Sequence, residues 1–158
     1  MKAKLLALSL LILYPFGVQA DDPKAGYHGM AGPNGGRLLV EVEPHLEFLV
    51  NTVTKKVEIC FIGDANIVQT PGGQEVVVTI GTGANASGLT FTRDGDKLVS
   101  DKAVPEGNDL PVIVQVRAKP AEPLITADKF ILSLTLCPAG KHPQYACTCA
   151  PAQPKEKK

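Results

Sequence analysis

His45-Leu46-Glu47-Phe48-Leu49-Val50, the five residues Asn51 to Lys55, and then Lys56-Val57-Glu58-Ile59-Cys60-Phe61-Ile62 form the most informative stretch of the chain. Leu46, Phe48 and Val50 recur at every second position, as do Val57, Ile59 and Phe61. Successive side chains of a strand point to opposite faces, so a period of two marks a strand with one buried face. The two segments therefore read as strands joined by a turn over residues 51–55. Cys60 falls on the Glu58 and Ile62 side of its strand, away from the Val57 face.

The same pattern continues in both directions. Upstream, Leu38 to Val42 reads as a strand stopped by Pro44. Downstream, Val76 to Ile80 is ended by Gly81 and Gly83, and Leu89 to Arg93 faces Lys97 to Ser100 across Asp94-Gly95-Asp96. An Asp-Gly pair there predicts a hairpin, because Gly supplies the positive φ of a tight turn. Val112, Val114 and Val116 alternate with polar residues, and Pro120 and Pro123 close that strand. A last strand is expected over about 129–137, with Phe130, Leu132, Leu134 and Leu136 opposite Ile131, Ser133 and Thr135. No stretch carries a helical 3.6-residue apolar period over ten or more positions. Seven or eight antiparallel strands predict an all-β, immunoglobulin-like two-sheet sandwich over residues 37–137, in preference to a barrel. The chain has no Trp, so the Trp-on-disulfide core of true immunoglobulin domains is not expected.

The ends read differently. Lys2 and Lys4, the apolar run Leu5 to Tyr14 and the small-residue site Val18-Gln19-Ala20 have the layout of a secretion signal over residues 1–20. The apolar run is shorter than the roughly 20 residues a bilayer requires. A soluble periplasmic or secreted protein is therefore expected, with no membrane insertion after cleavage. Residues 21–36 read as a flexible Gly/Pro-rich leader, and residues 138–158 as an irregular tail containing Cys and His. Removal of the signal leaves 14 basic against 16 acidic residues. That balance offers no footprint for nucleic acid.

Outside the cytosol, four cysteines are expected to pair or to bind metal. Cys137, His142, Cys147 and Cys149 lie within thirteen residues as C-x4-H-x4-C-x-C. Four N or S donors suit a tetrahedral Zn or Cu site, and the intervening Pro and Gly residues can bring them together. Disulfides are the competing reading. Cys60 could bridge to Cys137 if their strands are neighbours, or hold the tail through Cys147 or Cys149. A Cys147–Cys149 bridge is disfavoured, because in an extended segment their Cα atoms stand about 6.6 Å apart.

Tyr27-His28-Gly29 and Gly32-Pro33-Asn34-Gly35-Gly36-Arg37-Leu38, followed by Glu43-Pro44-His45-Leu46-Glu47-Phe48, resemble the start of small exported bacterial proteins of unknown function. Similar segments occur in periplasmic domains associated with heavy-metal efflux adaptors. Tyr145-Ala146-Cys147-Thr148-Cys149 resembles the tail of the same small proteins. Their preceding segment commonly reads C-x2-C. Here the second position is Gly140, so either His142 takes that place or the site is lost. The resemblance would also make His28, Met30 and His45 copper ligands; the residues themselves favour two leader positions and a strand start.

No nucleophile, base and orienting acid stand in a recognisable arrangement, and Gly81-Thr82-Gly83 lacks the Lys and helix of a phosphate-binding loop. A non-enzyme is expected. The reading is a metal-binding accessory protein linked to heavy-metal handling. The alternative is a structural or interaction module that binds another envelope protein, with the cysteines as staples.

Overall fold

The computed structural model describes residues 30–119, 121–138 and 141–147. They form two antiparallel sheets packed as a β-sandwich. One sheet contains β1 (Met30–Ala31), β2 (Arg37–Leu39), β3 (His45–Val50), β4 (Lys56–Ile62), β8 (Phe91–Asp94) and β9 (Lys97–Ala103). Its order is β1-β2-β3-β4-β9-β8, with β5 (Val68–Gln69) also pairing with β4. The other sheet has the order β11-β10-β6-β7, from β6 (Glu75–Ile80), β7 (Ser87–Leu89), β10 (Leu110–Arg117) and β11 (Ile125–Leu132). The strands beyond the expected seven or eight are two- and three-residue pieces that leave no visible period.

Register carries the sequence pattern into the core. Leu46 faces Phe61 and Phe48 faces Ile59 across β3 and β4. Val112, Val114 and Val116 face Ile80, Val78 and Val76 across β10 and β6. All these side chains are buried in one cluster, each contributing about 1.5–3 kcal/mol relative to exposure. The chain passes from one sheet to the other at Thr90, between β7 and β8. Thr90 is held by its carbonyl accepting from Asp101 N–H at 2.8 Å. Its own N–H donates to Asp101 Oδ1 at 3.0 Å. Gly95 in the β8–β9 turn has φ of 61°, as the Asp-Gly signal requires.

Besides β2, which ends at Leu39 and not at Val42, two segments differ from expectation. β11 ends at Leu132, not at Cys137. Leu132 faces Leu110, the first residue of β10, so the chain beyond Leu132 has no partner on that strand and leaves the sheet. Leu134 and Leu136, which simple alternation would bury, are 42% and 67% exposed. The second difference concerns the leader. Its residues 21–29 lie outside the described residues, but Met30 and Ala31 pair with Leu38 and Arg37. The hairpin between them is closed by Gly35 N–H donating to the Gly32 carbonyl at 3.0 Å and Gly32 N–H to the Gly36 carbonyl at 2.8 Å. Pro33 and Asn34 form the turn, and Gly35 at φ of 83° provides the left-handed residue after it.

Candidate functional site

Two of the four expected ligands are joined to each other. Cys137 and Cys147 form a disulfide with a Cα separation of 6.2 Å. It closes a loop in which Leu136 bridges to Pro143 and Cys137 N–H donates to the His142 carbonyl at 3.0 Å. Gln144 N–H donates to the Thr135 carbonyl at 2.8 Å. A short 3-10 turn, Gln144–Ala146, follows and drives Tyr145 and Ala146 into the core. The His142 ring lies against the hairpin turn, with Nδ1 3.1 Å from where a Cβ on Gly35 would stand. Cys149 and His28 lie outside the described residues. Among the described residues no three His, Cys, Asp or Glu side chains converge as a metal group.

Cys60 does not bridge to Cys137. It is a buried free thiol on the outer face of the seven-stranded sheet, packed with Leu38 and Ile62. Burial, with the charges of Glu47 and Glu58 nearby, pushes its pKa up to about 11. The thiolate is the reactive form, so native Cys60 is expected to resist iodoacetamide at pH 8 and react fully once urea unfolds the chain. Rapid native labelling at Cys60, read by peptide mapping so that Cys149 is counted separately, would contradict that placement.

His45 is likewise structural: Nδ1–H donates to the Val42 carbonyl at 2.9 Å. Lys97 Nζ reaches Glu58 Oε2 at 2.7 Å, and Asn51 Nδ2 donates to Glu58 Oε1 at 2.9 Å. Burial would raise the Glu58 carboxyl, but these bonds outweigh it and hold the group below its ordinary range. The hydrogen bond to Glu58 raises Lys97 in turn.

The resemblance segment acquires a physical role. Glu47 points to the outer face of β3, yet it is 0% exposed because the Gly32–Gly36 turn folds over it. Its carboxylate accepts from Gly36 N–H at 2.8 Å, Asn34 N–H at 2.9 Å and Asn34 Nδ2 at 2.8 Å. On the inner face Arg37 joins the two sheets. Nε binds Asp128 Oδ2 on β11 at 2.6 Å, and Nη1 donates to the Tyr145 carbonyl at 3.2 Å. Its guanidinium lies 4.7 Å from the Phe130 ring centroid. The alternation of β3 shows which way Glu47 points; the turn that covers it is a tertiary contact with no local signature.

Beside the disulfide loop lies a cleft of about 160 Å³. Val50, Leu134, Leu136, Pro143 and Tyr145 line it, with Lys55 as its one charged lining residue. Tyr145 is fixed there by Val50 N–H donating to its hydroxyl oxygen at 3.1 Å. Burial raises the Tyr145 phenol above its usual pKa. A second cleft of about 200 Å³ lies at the opposite end of β3, between Val42, Pro44, Phe61, Val116 and Ile125.

No protein-family description, curated protein or solved structure matches the chain.

Proposed function

We propose that this chain is an exported, non-catalytic interaction module of the cell envelope, stapled by one structural disulfide. The observation that carries the reading is the Cys137–Cys147 bond, which suits an oxidising compartment and fastens the C-terminal loop onto the sandwich. The strongest polar groups already have structural partners. Glu47 is held by the hairpin turn, Arg37 by Asp128 and Tyr145, and Ser100 Oγ lies between Val57 N–H and the Lys102 carbonyl. Such an arrangement fixes a surface, which suits a binding role.

Three measurements test it. Peptide mapping of protein recovered from its native compartment is expected to return a Cys137–Cys147 link with Cys60 free. In-cell cross-linking is expected to capture an envelope protein. A fully reduced cytosolic chain would sink the proposal. Reduction of the bond reopens an eleven-residue loop (sequence separation 10) and is expected to lower stability by about 2–3 kcal/mol in the chain-entropy account. A denaturation midpoint indifferent to dithiothreitol would count against a staple.

The close approach of Cys137 and Cys147 also favours a second reading, a metal-handling accessory. Once reduced, the pair would offer two thiolates to one Zn²⁺ or Cu⁺, with His142 from the same loop and Cys149 two residues on. Binding of less than about 0.2 equivalents after reconstitution under reducing conditions would reject it.

A further inference from the structure

We infer that the cleft beside the disulfide loop is a docking site for a partner polypeptide, taking one aliphatic side chain and placing a neighbouring carboxylate against Lys55. The inference rests on the interaction-module reading and names its surface. Four observations carry it. Leu134 and Leu136 continue an apolar alternation that elsewhere builds the core, yet the disulfide loop holds them outward at 42% and 67% exposure. Val53, at the tip of the adjoining β3–β4 turn, is 88% exposed. Three exposed apolar side chains, Val53, Leu134 and Leu136, thus gather at the end of the sandwich that holds the cleft, and contiguous exposed patches mark interaction sites more often than scattered residues do.

Charge supplies the second argument. Lys55 is the one charged residue lining the cleft, and among the described residues its ammonium has no ion pair or side-chain hydrogen bond. A cation on an apolar wall complements a ligand that is aliphatic at one point and anionic at the next.

Backbone conformation supplies the third. Lys55 sits at φ of 57°, donating its N–H to the Asn51 carbonyl at 2.9 Å. That left-handed position suits Gly or Asn, which carry little or no steric penalty there. A lysine held at a strained position beside a cleft points to a use for its side chain.

Size supplies the fourth. At about 160 Å³ the cleft is smaller than the roughly 300–1,000 Å³ of sites that enclose a small molecule. It suits a single side chain presented by a longer polypeptide.

The test is a nuclear magnetic resonance titration of the full, oxidised, ¹⁵N-labelled chain with three capped tripeptides. The first is leucine-glycine-glutamate, which sets both side chains on one side when extended. The others replace glutamate by glutamine or leucine by alanine. The leucine–glutamate peptide is expected to shift the amides of Lys55, Leu134, Leu136 and Tyr145. The glutamine peptide is expected to bind about threefold to fivefold more weakly, the scale of one exposed ion pair, and the alanine peptide more weakly still. Lys55→Gly is expected to keep or raise the denaturation midpoint while abolishing the preference for glutamate. That separates a binding role from a structural one.

Silence at those amides, or an intact glutamate preference in Lys55→Gly, would overturn the site. Sodium octanoate acting at lower concentration than the peptide would also overturn it, making the ligand an amphiphile. So would a concentration-dependent dimer that buries Leu134 and Leu136. A silent cleft together with an envelope cross-link on another face removes this site alone and leaves the module reading standing.

Discussion

Glu47→Ala is expected to lower the unfolding free energy by about 3–4 kcal/mol in urea titrations, a large effect for a residue on the outer face of its sheet. The carboxylate accepts Gly36 N–H, Asn34 N–H and Asn34 Nδ2 within 2.8–2.9 Å. Hydrogen bonds to a charged group contribute about 1.5–3 kcal/mol each, and a buried donor left without an acceptor costs about 1–3 kcal/mol. Desolvation of Glu47 offsets part of the sum, which brings the net to the value given. The alternative is that the β1–β2 turn lifts away and finds water, in which case the loss falls to about 1 kcal/mol.

A second substitution separates these outcomes. A Cβ on Gly32 would overlap the Glu47 side chain, with Oε1 only 2.6 Å away. Gly32→Ala should therefore destabilise the wild-type chain by at least about 1 kcal/mol and be nearly silent in the Glu47→Ala background. Contacting residues couple by about 0.5–3 kcal/mol. Additive losses would show that the turn does not rest on Glu47.

The sandwich was legible wherever one face of a strand is buried and the other is not. His45–Val50 and Lys56–Ile62 occur as β3 and β4 at the boundaries their alternation implies, because register and burial there obey the same period of two. Legibility failed where a contact distant in sequence overrode that period. The alternation through Leu136 describes a strand that would continue past Leu132. Pairing ends there because Leu132 faces Leu110, the first residue of β10, and the Cys137–Cys147 link closes the residues beyond it into a separate loop. Gly-rich residues 32–36 carry no apolar period and so resemble a loose leader, yet they are held by Glu47, 11 positions beyond Gly36.

The candidate site divides along the same line. Closely spaced Cys and His residues announced that residues 137–149 matter, but spacing does not distinguish a disulfide from a metal site, since both need sulfurs within reach. The structure pairs Cys137 with Cys147 and leaves Cys60 free, a pairing that the sequence pattern of β4 could only place on a face. Lys55 carried no signal at all. Its interest arises from a positive φ and an apolar neighbourhood, neither of which can be read from one residue in a turn.

Arg37→Met is expected to cost about 3 kcal/mol and to diminish the near-ultraviolet circular dichroism of Tyr145. The arginine side chain is 8% exposed and its partner Asp128 is 23% exposed. Removing one member of a buried pair costs about 3–5 kcal/mol, and the residual exposure of Asp128 sets the expectation at the lower end. Methionine retains the apolar reach across Phe130, so the loss reports the charge and the donors rather than a cavity. Arg37→Lys should recover little. One ammonium lacks the planar fork that here meets the Asp128 carboxylate and the Tyr145 carbonyl from two nitrogens while stacking on Phe130.

The compensating change is the stronger test. With Arg37→Met in place, Asp128→Leu should restore most of the lost stability, because replacing both charges by apolar groups removes the desolvation penalty together with the attraction. The β11 edge and the Tyr145 turn would then be held by packing against Phe48 and Phe130, whose centroids lie 5.2 Å apart. If the double variant is no more stable than Arg37→Met alone, the guanidinium holds the loop through the Tyr145 carbonyl and not through Asp128. The cleft that Tyr145 lines would then depend on a single hydrogen bond from β2, and peptide binding should fall in Arg37→Met as steeply as stability does.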